Sequence, residues 1–455
     1  MNLSLHDPQF ITAEYPTTLT MTLSYGHSTS LSISPCGHYI ASGLVDGTIL
    51  VVDTWTNNVT CVLREHSMPI VGLKWVYKEE DGDRDHCDGD VVGLLAWSRD
   101  WKVSLHGLQR NELKLLKLYW SHVFTGGVWS CCIISRGRLD GDCWIDWKLA
   151  VCSSNDGMLI VDGIRDGSGV VTKSIEYETK DSKEGGDDVD YGITLCVQSL
   201  FGGKYVISGT SKGWLHIIDV EGVKIMRSEK VCNGNIKGLS VVQKGIKDAD
   251  VTVPVSRLIV NASDRILRQY DIGNWDSSIN DVDNWSFDIE QKYQDVVNRI
   301  QWNTVTFSPT GEFVVASTQG GSGVAHDVYV WECSMGTLVQ ILEGAHEELY
   351  DVSWGLRSTN GCVCCVAANG VDTGTLYMWG VRSREKWSAL APDFEEIEQN
   401  IEYVEMEDEF DQVEEEGELD AEREIVYHVD VVTKEDTDAR GMKVITGCVI
   451  DTIIE

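Results

Sequence analysis

One short sequence pattern recurs seven times along this chain and constrains its fold more than any other feature. In each copy, a turn that contains Asp or Gly is followed by a short apolar or alternating run. The copies begin at Asp46, Asp100, Asp156, Lys212, Asp264, Asp327 and Gly374. Such a run is typical of a β-strand, and a repeated unit of a few strands cannot bury both of its faces alone. The copies must therefore stack on one another around a common core.

A further strand, ending in small residues, precedes several copies. It occurs at residues 39–43, 205–209 and 313–317, and a Ser-Pro-x-Gly turn comes before the first and the last of these, at residues 34–37 and 308–311. Strand, turn, strand, Asp-Gly turn and strand is the pattern of a WD repeat, in which each unit forms a four-stranded blade. We therefore predict an all-β fold, a seven-bladed WD-repeat β-propeller.

The spacing of the copies is longer than that of a plain WD repeat. From Asp46 to Gly374 the mean spacing is about 55 residues, against roughly 40–45 residues in plain repeats. Polar insertions at residues 78–85 and 181–188 are typical of solvated loops. We attribute the extra length to loops of this kind.

The ring of blades must close, because an open ring would expose two sheet edges. Residues 19–25 alternate apolar and polar side chains, which indicates a half-buried strand ahead of the first full repeat. We predict that a strand at about residues 17–25 forms the outer strand of the seventh blade. The propeller is then predicted to span residues 1–385.

Histidine and aspartate positions in the repeats suggest, at first sight, a catalytic His-Asp pair. They include His27, His66 with Asp100, and His346. In WD repeats, however, a His, a Ser and the turn Asp brace the blade by hydrogen bonds, in line with the need of buried polar groups for partners. We predict a structural role for these residues.

Two other motifs carry weak signals of chemistry. Cys362, Cys364 and Cys365 suggest thiolate ligands for a metal, but no second Cys or His pair stands at the spacing of a tetrahedral site, and apolar flanks favour a buried strand. The Gly-rich residues 320–323 lack the Lys-Ser/Thr of a phosphate loop and are predicted to form a hairpin loop. With no Gly-x-Ser-x-Gly elbow and no distinct carboxylate pair, we predict that the protein is not an enzyme and that it uses no metal or cofactor.

The net charge of the chain is strongly negative. Its 455 residues include 72 Asp+Glu and 37 Lys+Arg, for a formal charge of -35. Long-range repulsion of phosphates therefore argues against nucleic acid as the dominant ligand. The few basic residues include Arg265, Arg268, Lys292 and Arg299, which fall in predicted blades five and six and form either one local patch or scattered solvated charges.

Neither a membrane span nor a signal peptide is visible in the sequence. No run approaches the roughly 18 apolar residues of a membrane span, and residues 1–8 have neither a basic leader nor an apolar core. We therefore expect an intracellular protein without a membrane partner. Its cysteines are expected to be reduced, and several, such as Cys131 and Cys132, lie in apolar runs suited to buried packing.

The composition changes abruptly after the last repeat. Residues 393–424 contain 17 carboxylates and one basic residue, and apolar side chains such as Phe394, Tyr403 and Phe410 interrupt the acidic run. Such a segment is expected to be disordered when free and to fold onto partners, with apolar anchors for affinity and carboxylates for basic patches. We predict a partner-binding segment at residues 386–424 and a C-terminal extension at residues 425–455.

Several motifs resemble one known family. They are Lys386-Trp387-Ser388-Ala389-Leu390-Ala391-Pro392-Asp393-Phe394-Glu395-Glu396, then Glu402-Tyr403, then Glu407-Asp408-Glu409-Phe410-Asp411. Together they are similar to the linker and acidic box of the retinoblastoma-binding-protein-five/Swd-one family. Propeller stretches such as residues 98–101, 209–214 and 263–270 look similar to the same family. Its members are WD-repeat subunits of the Set-one/COMPASS histone methyltransferase complex.

The resemblance implies a non-catalytic scaffold of a nuclear complex that methylates histone H3 at lysine four. In that family the segment after the propeller lies against the SET domain of the catalytic subunit and activates it, which here implies Trp387, Leu390, Pro392, Asp393, Phe394, Glu395, Glu396 and Ile397. The acidic box binds the SPRY domain of the Ash-two subunit, which implies Glu402, Tyr403, Glu405, Glu407, Asp408, Glu409, Phe410 and Asp411.

Two further contacts are implied by the same resemblance. A motif that docks on the Swd-three/WD-repeat-five propeller is matched by Val429, Asp430 and Val431. The family's propeller also faces the nucleosome, and a local basic patch for DNA is implied at Arg265, Arg268 and Arg299.

Two rival functions come from other classes. A generic WD-repeat scaffold or a ubiquitin-ligase substrate adaptor would use the acidic tail only as a solubilising appendage. A propeller hydrolase would need carboxylates that converge in the central channel, and nothing in the sequence indicates them.

Overall fold

A computed structural model of the chain describes residues 15–34, 37–54, 56–77, 91–108, 116–140, 143–163, 170–174, 190–248, 251–273, 282–295, 299–320, 326–355 and 364–380. These residues form 28 β-strands and two short 3-10 helices, Phe201–Gly203 and Val282–Asn284. The strands are β1 Thr18–Leu23, β2 Ser28–Ile33, β3 Tyr39–Leu44, β4 Ile49–Asp53, β5 Val59–Leu63, β6 Ile70–Tyr77, β7 Val91–Ser98, β8 Lys102–Leu108, β9 Leu116–Val123, β10 Val128–Asp140, β11 Cys143–Ser153, β12 Gly157–Gly163, β13 Val170–Ser174, β14 Thr194–Leu200, β15 Tyr205–Thr210, β16 Trp214–Asp219, β17 Lys224–Lys230, β18 Ile236–Asp248, β19 Val251–Ala262, β20 Leu267–Gly273, β21 Ser286–Tyr293, β22 Gln301–Phe307, β23 Phe313–Gln319, β24 Val328–Glu332, β25 Leu338–Leu342, β26 Leu349–Trp354, β27 Cys364–Gly370 and β28 Leu376–Gly380.

The strands form seven four-stranded antiparallel sheets, which are the blades of the predicted propeller. Blades one to six each use four consecutive strands, from β2–β5 to β22–β25. The seventh blade combines β26, β27 and β28 with β1 from the start of the chain. In that blade β1 pairs with β28, from Thr18 opposite Gly380 to Leu23 opposite Leu376. The prediction of a seven-bladed β-propeller is confirmed.

All seven repeated turns lie directly before the third strand of a blade. The second position of the turn often needs a left-handed backbone, which glycine adopts without strain. At Gly47 the φ angle is 88°, and a Cβ there would lie 2.4 Å from the carbonyl oxygen of His66. Trp101 and Arg265 take the same position in blades two and five with φ angles of 66° and 71°. Both of these large side chains are exposed.

The core consists of seven apolar clusters, one between each pair of neighbouring blades. Trp302 fills the interface of blades five and six, and Trp379 that of blades six and seven; both are fully buried. The innermost strands contact one another in order around the ring, and β26 contacts β2 to close it. At this closure the Asn369 side chain donates to the carbonyl oxygen of Ser28 at 3.0 Å.

Two blades contain unusually long hairpins. In blade three β10 and β11 have 13 and 11 residues, and in blade five β18 and β19 have 13 and 12 residues. A typical strand has about 5–6 residues. In these blades part of the extra repeat length therefore lies in strands, so its attribution to loops alone is incomplete. The polar insertions at residues 78–85 and 181–188 lie outside the described residues.

The adjacent cysteines of the apolar run in blade three pack inside the propeller. Cys131 and Cys132 are buried free thiols in β10, and burial raises the pKa of Cys132 to about 11. A thiol that stays protonated behaves as a small apolar side chain. Cys364 and Cys365 lie in β27, as their apolar flanks indicated, while Cys362 lies outside the described residues.

Candidate functional site

The strongest His-Asp candidate of the sequence is a buried brace of blade two. The His66 Nδ1 lies 3.1 Å from the Asp100 Oδ2, and its Nε2 lies 2.7 Å from the Ser104 Oγ. The Asp100 carboxylate also accepts the backbone amides of Ser67 and Lys102 at 3.2 and 2.9 Å. Burial lowers the pKa of His66, although Asp100 opposes the shift. Because the protein itself occupies both ring nitrogens, the group stabilises the turn and has no donor left for a substrate.

The seventh blade uses a carboxylate where the sequence suggested a histidine. His346 is exposed, and the neighbouring Glu347 is 5% exposed and points under the turn. Its Oε2 accepts the backbone amides of Asp372 and Thr373, both at 2.7 Å. Burial alone would raise the pKa of Glu347, but hydrogen bonds from the Thr373 hydroxyl and from these two amides outweigh it, and the pKa is lowered. The prediction that His346 braces this blade is therefore wrong, and Glu347 braces the turn instead. A single Glu carboxylate can accept the two turn amides that an Asp accepts in blade two.

A large open cavity among the described residues forms the mouth of the central channel. It is a cavity of about 1140 Å³, and residues from all seven blades line it. Its lining residues are His27, Ser28, Thr29, Met68, Pro69, Ile70, Val71, Arg99, Trp101, Gly127, Trp129, Leu195, Asn235, Lys237, Asn303, Thr304, Gln319, Tyr350, Asn369, Gly370 and Val371. None of these described lining residues is acidic. The carboxylates that a propeller hydrolase would need are therefore missing from this part of the mouth.

The mouth has an apolar side that faces solvent. Trp101 and Trp129, from blades two and three, are 48% and 53% exposed, and Tyr350 of blade seven is 53% exposed. The Trp101 Nε1 is 3.8 Å from the position of a Cβ at Gly127, so the Trp101 side chain reaches over blade three. Exposed aromatic side chains gathered around one opening are unusual on the surface of a protein that acts alone.

The basic residues of blades five and six differ in how they are held. Arg268 forms an ion pair with Asp264, with Nη1 and Oδ1 3.1 Å apart, and its side chain is 12% exposed. Arg265 and Arg299 are exposed and have positive φ angles of 71° and 49°. Arg265 and Arg299 therefore face solvent, while Arg268 is held against its own turn. Whether the three form a nucleosome contact stays a prediction.

The predicted partner-binding residues of the tail lie outside the described residues. These are the SET-domain-activating residues at 387–397, the acidic box at 402–411 and the docking motif at 429–431. Among the residues that are described, no group of three or more His, Cys, Asp or Glu side chains is placed to hold a metal ion. Within the same part of the chain, no helix has the length and apolarity that crossing a bilayer requires.

Comparison with known proteins finds relatives along nearly the whole chain. "Set1 complex component swd1" from Schizosaccharomyces pombe is 38% identical over 410 residues, which cover 90% of this chain and 89% of the relative. "COMPASS component SWD1" from Saccharomyces cerevisiae is 35% identical over 460 aligned positions, which cover 97% of this chain and 95% of the relative. "Retinoblastoma-binding protein 5 homolog" from Drosophila melanogaster is 27% identical and covers 82% of this chain and 64% of the relative.

A solved structure shows the same fold. The β-propeller domain of Myceliophteria thermophila Cps50 (Swd1) superimposes with a TM-score of 0.62 and 31% sequence identity, over 80% of this chain and 100% of the solved one. No family model matches the chain. The alignment with the Saccharomyces relative covers 97% of this chain, whereas the last strand of the propeller ends at Gly380. The likeness therefore extends beyond the propeller into the acidic tail.

Proposed function

Because the chain belongs to the Swd1 family, whose members in two yeasts are components of the Set1 complex and of COMPASS, we propose that it is a non-catalytic scaffold subunit of such a complex. The whole-length likeness to these two relatives carries the proposal. A complex that acts on chromatin works in the nucleus, and we place the protein there. Its catalytic partner is a SET-domain methyltransferase, and the substrate of the complex is histone H3 at lysine four.

The design of the propeller fits a scaffold. Its polar His, Asp and Glu groups are used to brace turns, as at His66 and Glu347. Its exposed side chains include aromatic and basic groups, such as Trp129 and Arg299. Exposed aromatic and arginine side chains are typical anchors of protein interfaces. The propeller therefore offers surfaces to bind partners rather than a site for chemistry.

The segment after the propeller is the proposed activator of the SET domain. The apolar anchors of this segment are Trp387, Leu390, Phe394 and Ile397. Pro392 fixes its own backbone φ angle, and acidic residues follow it. A segment that binds only the active arrangement of a flexible enzyme raises the population of that arrangement by its differential affinity. A few kcal/mol of differential affinity is enough for a gain of roughly tens- to hundreds-fold.

The acidic box is the proposed ligand of an Ash-two-type SPRY domain. Tyr403 and Phe410 are its apolar anchors, and the carboxylates at residues 402–411 steer it toward a basic surface. Farther along, Val429-Asp430-Val431 is the proposed strand that docks on a Swd-three/WD-repeat-five-type propeller, since a β-prone run suits addition to a sheet or groove.

Contact with the nucleosome is proposed at Arg265 and Arg299. Arg268 is proposed to make a weaker, secondary contact. A guanidinium that faces solvent can reach a phosphate, whereas the Arg268 ion pair with Asp264 must open first. The negative charge of the acidic tail does not prevent a basic patch on the propeller from attracting phosphates, because salt screens charges beyond about 8–10 Å at physiological ionic strength.

Reconstitution with the SET, Ash-two and Swd-three-type subunits tests the proposal. Deletion of residues 386–411 should leave the propeller folded and the methylation of histone H3 at lysine four reduced by at least about tenfold. Deletion of residues 436–455 is the control, because no partner is assigned to that stretch. Unchanged methylation after the first deletion would contradict the activating role. Co-purification with a ubiquitin-ligase core and no methyltransferase would instead favour the adaptor function.

A further inference from the structure

The channel mouth is a cationic and apolar surface in an acidic protein. The chain has 72 Asp+Glu against 37 Lys+Arg, yet the described lining of the mouth contains Arg99, Lys237 and His27 and no carboxylate. A random sample of this chain's charged residues would be mostly acidic. Both formally charged side chains of the described lining, Arg99 and Lys237, are therefore cations in a chain that has an excess of acidic residues.

The two cationic side chains of the mouth are left without a carboxylate partner among the described residues. Arg99 is exposed in the turn of blade two, and no described acidic group pairs with it. The Lys237 Nζ donates only to neutral oxygens, to the Gln319 side chain at 2.9 Å and to the Trp302 carbonyl at 3.3 Å. Burial lowers the pKa of Lys237. A carboxylate from a ligand would therefore meet two cations that no described acid neutralises.

Two carboxylates adjoin the lining of the mouth, and both bond to neutral protein donors. The Glu348 Oε1 accepts a hydrogen bond from the Asn303 Nδ2 at 2.9 Å, and the Asp351 Oδ1 accepts the backbone amide of Val352 at 3.0 Å. These contacts fix both carboxylates to protein donors. Neither carboxylate accepts a hydrogen bond from Arg99 or Lys237, so both cations can attract an anionic group of a ligand.

The apolar side of the mouth offers several separate contact points for the side chains of an extended ligand. Trp101, Trp129 and Tyr350 are about half exposed, and Met68 and Val371 are 47% and 38% exposed. Exposed aromatic and aliphatic residues that share one rim supply anchors at several separate points. A cavity of about 1140 Å³ exceeds the 300–1,000 Å³ of most small-molecule sites. The size and the spread of anchors indicate an extended segment rather than a compact metabolite.

We propose that the channel mouth binds an extended peptide segment of a partner protein in which aromatic or aliphatic residues alternate with carboxylates. The apolar side chains pack on Trp101, Trp129 and Tyr350, and the carboxylates approach Arg99 and Lys237. This site lies on the propeller and is separate from the partner contacts proposed for the acidic tail.

Single-stranded nucleic acid is the main rival ligand, since stacked bases also use aromatic and cationic groups. Two features favour the peptide. The aliphatic lining residues Val71 and Leu195 are partly exposed and suit apolar side chains, whereas a base would need an aromatic face to stack on. Nucleic acid also draws its affinity from many phosphate contacts, and the mouth offers two strong cations in a chain with a net charge of -35.

Fluorescence anisotropy with labelled synthetic peptides and the full-length protein tests the proposal. The probe has about 12 residues, roughly 40 Å when extended, and carries two Trp or Phe residues among four Asp or Glu residues. One matched peptide has Lys at every acidic position, and another has Ala at every aromatic position. A single-stranded oligothymidylate of similar length serves as the nucleic-acid arm. Sedimentation velocity of the protein alone shows whether a second copy covers the mouth.

We expect the acidic aromatic probe to bind at least about tenfold more tightly than either matched peptide and than the oligonucleotide. Trp129→Ala and Arg99→Glu should each weaken the probe by about tenfold. Met335→Ala and Lys224→Glu are the matched controls, because both positions are exposed and neither lines the mouth. Circular dichroism verifies that each variant is folded.

Several results would overturn the proposal. One is equal binding of the Lys-containing peptide, since it removes the role of charge. Another is tighter binding of the oligonucleotide, which would assign the mouth to nucleic acid. A dimer that dissociates on Trp129→Ala would assign it to a second copy of the chain. Equal losses in the control variants and in the mouth variants would assign the binding to another surface.

Discussion

The Asp351 carboxylate of the seventh blade accepts a hydrogen bond from the Leu31 amide of the first blade, with Oδ2 and N 3.1 Å apart. The two residues are 320 positions apart in the sequence, and their contact lies where the last blade meets the first. Burial raises the pKa of Asp351 to about 6, against the opposing effect of the Leu31 and Val352 amides. The carboxylate therefore joins the ends of the ring at a cost in charge burial that depends on pH.

Replacing Asp351 by Asn should change the pH dependence of stability. The folded protein keeps the carboxyl proton up to about pH 6, whereas the unfolded chain loses it near pH 4. The raised pKa therefore stabilises the wild type at acidic pH, and this contribution is lost as the pH rises through 6. Asn does not titrate, so the unfolding free energy of Asp351→Asn relative to wild type should rise by about 1.4 kcal/mol between about pH 5 and pH 7.5.

Urea unfolding at both pH values measures this difference for Asp351→Asn. Glu221→Gln, which makes the same chemical change at an exposed turn position, is the control. A relative stability of Asp351→Asn that is the same at both pH values would show that the carboxylate titrates normally in the folded protein.

A buried histidine should have the opposite effect on the pH dependence of stability. The His216 Nδ1 lies 2.8 Å from the Ser228 Oγ, and its side chain is fully buried. Burial lowers the pKa of His216 to about 4, while an imidazole in the unfolded chain titrates near 6.5. The unfolded state therefore binds a proton first as the pH falls, and the stability that is complete above about pH 6.5 is lost toward pH 4.

His216→Gln should remove about 2 kcal/mol of the acid-induced loss between about pH 7.5 and pH 5. The variant is compared with wild type at both pH values by urea unfolding, with the exposed His346→Gln as its control. If His216→Gln and wild type lose the same amount of stability on acidification, the buried imidazole is not the group that titrates.

The sequence predicted the fold because each blade repeats a local requirement. In the turn Asp46-Gly47, the Asp46 carboxylate accepts the amide of Thr48 at 2.8 Å, and Gly47 adopts a left-handed backbone. Because these two requirements favour Asp and Gly, the turn is recognisable in the sequence. The long hairpins of blades three and five were missed, because an extended strand and a polar loop have similar compositions at their ends. Glu347 was missed because the brace can be built from more than one residue type.

The channel mouth was not predictable from the sequence. Its cations Arg99 and Lys237 and its aromatic residues Trp101, Trp129 and Tyr350 come from four different blades. No local spacing connects residues that only the closure of a ring brings together. The acidic tail is the reverse case, since its composition alone indicates partner binding, while its contacts depend on proteins that the sequence does not contain.

Removal of β1 should open the seventh blade. Its strand pairs with β28 from Thr18 to Leu23, the Thr20 hydroxyl donates to the Met378 carbonyl at 3.0 Å, and Leu19 packs on the cluster between blades six and seven. Deletion of residues 1–23 removes these contacts and exposes the edge of β28. We expect a loss on the order of 5 kcal/mol in unfolding free energy and a tendency to aggregate through the free edge.

Differential scanning fluorimetry and size-exclusion chromatography measure the effect of this deletion. Deletion of residues 1–14, which stops before the described part of the chain, is the matched control and should leave the melting temperature within about 2 °C of wild type. Equal melting temperatures for the two deletions would mean that another segment supplies the outer strand of the seventh blade.

The acidic box offers the sharpest test of partner choice. Tyr403→Ala and Phe410→Ala remove the two aromatic anchors proposed to bind the Ash-two-type SPRY domain, and each should weaken that binding by about tenfold or more, mainly through a faster off-rate. Neutralising Glu407, Asp408 and Glu409 to the corresponding amides should act differently. It should slow association and flatten the salt dependence of binding, because exposed carboxylates contribute mostly to steering.

Biolayer interferometry of the full-length chain against the isolated SPRY domain separates these two effects. Tyr427→Ala, an aromatic change in the tail outside the acidic box, is the control and should leave both rates unchanged. Wild-type off-rates for Tyr403→Ala and Phe410→Ala would remove the acidic box from this interface. If only the amide variant loses association, charge attraction alone explains the binding. A solubilising tail provides the same attraction, so this result would be equally consistent with the adaptor function.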